Sequence, residues 1–113
     1  TGRANFLDEI IADNGALHAS FKTYRQLLTQ HVDPLGQDPN VSRRRDQSYF
    51  YGFAQTLCGH LSGEALEEYT RISPYPLRRE RVNIPLSNSE EFAKAYRCAL
   101  GSPMNPLQKC KVY

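Results

Sequence analysis

The chain has little that would give its function away by composition. No apolar run is long enough to cross a bilayer, and no signal peptide or initiator Met precedes Thr1. There is no internal repeat, low-complexity tract or Walker-type glycine motif, which removes solenoids and phosphate-cradling loops. The charge balance is mild, with a net +2 and a pI near 8.5, so no broad electrostatic footprint points to a polyanion. Two basic clusters stand out, Arg43-Arg44-Arg45 and Arg78-Arg79-Glu80-Arg81. Neither carries the interleaved aromatics or the Gly-rich loop of a nucleic-acid site. The first adjoins Asp38-Pro39-Asn40 and reads as a solvated turn or a processing-sensitive site. Cysteine is present but odd in number: with three, at least one lacks an internal partner. Spacing alone would bridge Cys98 to Cys110 and leave Cys58 over. Disulfide chemistry points to an oxidising, extracellular or lumenal compartment; buried free thiols in a cytosolic protein are the plainer alternative.

What is present is periodicity and one carboxylate pair. Phe6, Ile10, Leu17, Phe21, Tyr24 and Leu28 recur at three- and four-residue steps, predicting a long amphipathic helix from about Asn5 to Gln30. On it Glu9 and Asp13 lie one turn apart, beside the apolar stripe. Two carboxylates at the edge of a core repel each other and lose hydration, so they need a cation, an imidazole or an arginine to stay ionised. Such pairs are common on solvated helix faces. Asn14-Gly15, two poor helix formers in mid-run, weakens that plain explanation.

The remaining pattern predicts an all-α chain with three further helices. Asp33-Pro34-Leu35-Gly36 breaks the first, and a loop to about Arg45 follows. A second helix spans about Asp46 to Cys58, with Phe50, Phe53, Ala54 and Leu57 on one face. A short helix covers Glu64 to about Thr70. Pro74, Pro76 and Pro85 predict an irregular connector over Ser73–Pro85. Ser87-Asn88-Ser89-Glu90 has capping-box spacing and predicts a last helix from about Ser89 to Arg97. The tail, with Pro103 and Pro106, reads as extended and held by packing and a Cys110 bridge.

Four segments, in order, resemble one family. Glu9-Ile10-Ile11-Ala12-Asp13-Asn14-Gly15-Ala16-Leu17 resembles the E-N-I-A-D-N-G-G-L stretch of the neprilysin family of zinc metallopeptidases, which includes the endothelin-converting enzymes. Tyr51-Gly52-Phe53-Ala54-Gln55-Thr56-Leu57-Cys58 is similar to its F-L-G-F-A-Q-x-W-C segment. Arg81-Val82 followed by Leu86-Ser87-Asn88-Ser89-Glu90-Glu91-Phe92 is similar to R-V-x-x-x-L-S-N-S-x-E-F. The close, from Tyr96-Arg97-Cys98 through Gly101-Ser102-Pro103-Met104-Asn105-Pro106 to Lys109-Cys110-Lys111-Val112-Tyr113, resembles the family's C-terminal signature, which usually ends in Trp.

The resemblance implies that residues 1–113 are the C-terminal helical portion of the catalytic lobe of a two-lobed, zincin-type peptidase, not an independent domain. It implies that Glu9 is a ligand of one catalytic zinc and that Asp13 orients a zinc-binding histidine. Arg81 matches the arginine that hydrogen-bonds a substrate backbone carbonyl. Tyr75 falls where the family has a histidine donating to the oxyanion. Cys58, Cys98 and Cys110 would each pair with cysteines upstream of this segment. The parent chain is expected to be a single-pass type II ectoenzyme or a secreted one, acting on small peptides at the amino side of hydrophobic residues. The other zinc ligands and the general base belong to an H-E-x-x-H that this chain does not contain, and His18, His31 and His60 are not at ligand spacing. Alone, the chain is expected neither to hold zinc tightly nor to cleave peptide. Tyr75 and the departures Ile10, Ala16, Pro85 and Tyr113 favour an alternative, an impaired homologue kept for peptide binding or for its fold. A separate helical binding module is the third possibility, opposed by the odd cysteine count and the missing start.

Overall fold

The computed structural model describes residues 2–30 and 37–111, with side chains from Phe6 onward. His31, the breaker expected at Asp33–Gly36, and Val112 and Tyr113 lie outside the described residues. Five helices account for the regular structure: α1 (Gly2–Gln30), α2 (Pro39–Thr56), α3 (Gly63–Ile72), α4 (Arg78–Asn88) and α5 (Glu90–Ala95). The all-α expectation holds, and no strand occurs among the described residues. None of these helices is long and apolar enough to cross a membrane.

Helix α1 is the spine. At about 1.5 Å per residue it runs for roughly 43 Å, which accounts for most of the 51 Å long axis. Its apolar stripe closes on the partners the periodicity anticipated: Leu17 and Phe21 are buried and Tyr24 packs against them. Helix α4 lies against α1, α5 against α2, and α4 touches both α2 and α5. Where the four meet, Leu17, Phe21, Phe50, Leu86 and Ala95 form the core. Aromatic rings dominate it. Phe21 stacks on Phe50 with centroids 5.1 Å apart, and Tyr49 meets Phe21 edge-on at 5.2 Å. Phe92 adds an edge-to-face contact to Phe50 at 5.5 Å. Such offset and tilted pairs add to area burial because the ring edge is positive and its face negative.

Helix α2 starts seven residues before the expected Asp46. The Asp38-Pro39-Asn40 sequence is a helix start, not a loop. The Asp38 carboxylate accepts from the Asn40 N–H at 2.8 Å, and Pro39 occupies the first turn, where its missing N–H costs nothing. Arg43-Arg44-Arg45 is therefore helical, not a turn.

Helix α4 replaces much of the expected connector. Pro85 sits inside it, fully buried. A proline removes one donor, here the partner of the Arg81 carbonyl, and the burial of its ring in the core offsets that loss. The start of α5 falls at the expected Ser89, but the first serine of the capping-box spacing does not cap it. Ser89, not Ser87, accepts from the Phe92 N–H at 3.1 Å, while Ser87 bonds back to Ile84 within α4.

Helix α5 ends at Ala95, two residues before the expected Arg97. Arg97 takes a left-handed φ of 52°, and the Cys98 N–H returns to the Ala93 carbonyl at 2.9 Å. The Arg97 N–H bonds the Lys94 carbonyl at 3.3 Å. Together these are the paired bonds of a Schellman ending.

Hydrogen bonds hold the tail. Lys109 Nζ donates to the Ser87 carbonyl at 3.1 Å and to Asn105 Oδ1 at 2.7 Å. Asn105 Nδ2 donates to the Cys98 carbonyl at 2.9 Å. The Cys98–Cys110 bridge that spacing alone suggested is not formed; Cys58, Cys98 and Cys110 are all free.

Candidate functional site

Helix α1 exposes one end of its carboxylate face where α4 crosses it. Glu9 and Asp13 are both half-buried there, one turn apart. Arg81, in the first turns of α4, reaches across and grips Asp13 with a two-pronged bond. Its Nε donates to one carboxylate oxygen and its Nη2 to the other, both at 2.9 Å. This fork matches the geometry of a carboxylate better than any lysine contact. The side chains are 24% and 12% exposed, enough shielding to make the pair stronger than a surface ion pair. The hydrogen bond to Asp13 raises the Arg81 pKa above its ordinary value, the charges of Asp13 and Glu9 add to it, and burial opposes them.

The Pro74–Pro76 segment delivers a fourth residue. Tyr69 on α3 donates its hydroxyl to the Pro76 carbonyl at 3.2 Å, and the Tyr75 N–H bonds Ser73 Oγ at 3.1 Å. With the backbone so held, the Tyr75 ring lies under the Arg81 guanidinium, 5.6 Å from its carbon, in cation–π range. Tyr75 is 46% exposed. Glu9, Asp13, Tyr75 and Arg81, singled out separately in the sequence, thus share one neighbourhood. The arginine that the carboxylate pair requires comes from α4.

Two asparagines also belong here and escaped the sequence reading. Asn14 Nδ2 bonds back to the Ile10 carbonyl at 2.7 Å, and its Oδ1 accepts from Asn88 Nδ2 at 3.1 Å. Asn88 Oδ1 in turn accepts from the Cys110 N–H at 3.1 Å. One amide pair therefore ties α1, the end of α4 and the tail together. The signal was the poor helix former at position 14, which pointed to a side-chain role.

Next to this tie lies an open cavity of about 190 Å³, lined among others by Asn14, His18, Asn88 and Cys110. His18 and His60 are exposed, and neither joins the Glu9–Arg81 cluster. Cys58 and Cys110 are exposed and Cys98 is half-buried. Among the described residues no three His, Cys, Asp or Glu side chains come together as a metal site.

A second ion pair, between an exposed arginine and a buried aspartate, lies more than three turns along α1. Arg25 Nη2 donates to Asp46 Oδ2 at 2.6 Å, and Arg25 Nη1 to Ser42 Oγ at 3.2 Å. Asp46 Oδ1 is buried with no hydrogen-bond partner. Burial pushes the Asp46 carboxyl above the usual range, with Arg25 and Lys94 pulling it back.

Comparison with known proteins gives this arrangement a context. The family model described as peptidase family M13 matches residues 3–112. Neprilysin-2 of Caenorhabditis elegans is 40% identical over 105 residues, which are 93% of this chain and 14% of that protein. Endothelin-converting enzyme 1 of Rattus norvegicus is 39% identical over 110 residues, 95% of this chain and 14% of its own. Neprilysin-1 of Trittame loki is 35% identical over 113 residues, 96% and 16% respectively. The chain spans about one-seventh of the length of the first two. No solved structure matches it significantly.

Proposed function

The chain belongs to peptidase family M13, and we propose on that footing that it forms part of the active site of a zinc-dependent metalloendopeptidase. Its all-helical architecture is consistent with the C-terminal helical part of the family's catalytic domain. The observation that carries the proposal is the convergence of Glu9, Asp13, Tyr75 and Arg81 from two helices and a proline-rich segment. Each stands where the resemblance expects a working residue.

The donor set fits a zinc ion in part. Glu9 offers one hard oxygen, the type a catalytic zinc accepts beside imidazole nitrogens. The other ligands and the general base come, in this reading, from the upstream portion of the same polypeptide, residues 1–113 being its C-terminal portion. When bound, zinc supplies a water acidic enough to attack a peptide carbonyl near neutral pH.

The chain's own residues then act around that centre. Asp13 gives one lone pair of each oxygen to Arg81 and keeps acceptor capacity for the ring N–H of a ligand histidine. Arg81 spends two of its five N–H groups on Asp13 and keeps the others for a substrate backbone carbonyl. Tyr75, half-exposed beside it, offers a phenolic O–H to the carbonyl oxygen as it gains charge. Its substrates are small peptides, cut at the amino side of hydrophobic residues. Cys58, Cys98 and Cys110 pair with upstream cysteines, and the parent protein works outside the cell, anchored by a single span or secreted.

A second reading is favoured by Tyr75 itself. A phenol is neutral where a histidine carries charge on demand, and losing one oxyanion donor costs roughly 100–1000-fold in turnover. An impaired homologue that binds peptides follows if the phenol does not serve.

The test uses the complete polypeptide. Zinc content is measured by mass spectrometry and cleavage with a quenched fluorescent peptide. The proposal expects one zinc and measurable turnover, with Glu9→Gln losing the metal. Asp13→Asn is expected to cost about 10–100-fold in affinity or activity. Zinc bound without turnover establishes the impaired homologue. Glu9→Gln retaining full zinc rejects Glu9 as a ligand.

A further inference from the structure

Outside the Arg81 cluster, the start of α2 carries a second signature. Asn40-Val41-Ser42 is the only N-x-S/T triplet in the sequence, and its middle residue is not proline. We propose that Asn40 is an N-glycosylation site. The proposal rests on the extracellular reading above and not on the zinc chemistry.

Two observations support it, and a third fixes when the sugar is added. Asn40 is exposed, in the first turn of α2 behind the Asp38 cap, where a bulky sugar projects into solvent without disturbing the core. Its position is remote from the Arg81 cluster. Ser42 is bonded to Arg25, about 18 Å along α1 from Asp13 at 1.5 Å per residue. A glycan there leaves the peptide-binding end open. Finally, the triplet is unobstructed only before folding. The Ser42 hydroxyl, which the transferase must recognise, accepts from Arg25 Nη1 at 3.2 Å in the folded chain, and residues 39–42 are already helical. The sugar is therefore added while the chain is still extended.

The step is a group transfer. The Asn40 side-chain nitrogen attacks the anomeric carbon of a lipid-pyrophosphate-linked oligosaccharide. A C–N bond forms and the anomeric C–O bond breaks. The lipid pyrophosphate departs with the electron pair, and the amide proton passes to solvent. No oxidant or reductant is needed.

The chain is expressed behind a signal peptide in animal cells, with a reference acceptor triplet appended at its C-terminus. Only molecules carrying the reference glycan are collected, so delivery to the lumen is assured for every molecule read. Enzymatic removal of N-glycans is expected to convert Asn40 to aspartate and to lower the gel mobility mass by two steps. Asn40→Gln and Ser42→Ala leave one step, and Ser42→Thr keeps both. A bare Asn40 beside an occupied reference overturns the assignment. That result leaves the extracellular reading and the zinc site untouched, because the reference has already reported delivery and neither depends on the sugar.

Discussion

Arg81 on α4 donates two parallel hydrogen bonds of 2.9 Å to Asp13 on α1, although 68 residues of sequence separate them. The pair decides how α4 crosses α1 beside Glu9. It also sets a guanidinium against the carboxylate pair: Arg81 answers Asp13 with both prongs and draws on the field of Glu9.

Removing Arg81 leaves the Asp13 carboxylate shielded and unpaired. Arg81→Ala is expected to cost about 2 kcal/mol, in the range for hydrogen bonds to charged groups. Arg81→Lys restores the charge but not the fork, and recovers less than half of the loss. Urea denaturation measures both; an alanine variant as stable as the wild type would refute the structural weight given to the pair.

Asp46 makes stability depend on pH in an unusual direction for a carboxylate. Its folded pKa is raised above the ordinary 3.8, burial being the main cause. The folded state therefore holds the Asp46 proton more tightly than the unfolded chain does. The resulting stabilisation is fully present below the unfolded value and is lost as pH rises through the folded one. Asp46→Asn cannot titrate. Wild-type stability relative to Asp46→Asn is expected to grow as pH falls from 7 toward 4. Denaturation curves at several pH values read this difference, and a slope of the opposite sign rules it out.

Arg97 closes α5 in the left-handed region, where a Cβ crowds the backbone. Arg97→Gly relieves that strain, and a gain of about 0.5–1 kcal/mol is expected. A rise in the thermal midpoint checks it. A drop would mean that the arginine side chain contributes more than the strain costs.

Ser89 caps α5 through the Phe92 N–H. Ser89→Ala is expected to destabilise by about 1 kcal/mol, and Ser89→Asp to be nearly neutral. The same substitution at Ser87, whose hydroxyl bonds within α4, is expected to cost less. Equal losses at both positions would contradict the capping assignment.

Local chemistry in the sequence determined a good deal. The three- and four-residue spacing from Phe6 to Leu28 specified α1 and its buried face, because side chains at those steps stack on one side of a helix. The E-x-x-x-D spacing put Glu9 and Asp13 on one face for the same reason, and the four matching segments identified the family. Prolines were where local reading failed. Pro39 and Pro85 both look like breakers, yet one starts α2 and the other lies inside α4, because the cost of a lost N–H depends on what surrounds it. Only the tertiary structure decided which arginine meets Asp13, that Tyr75 lies under that arginine, and that Asn88 binds Asn14. These contacts join residues more than sixty positions apart in two of the three cases. Their partners are selected by the packing of α4 on α1, which no spacing within either helix encodes.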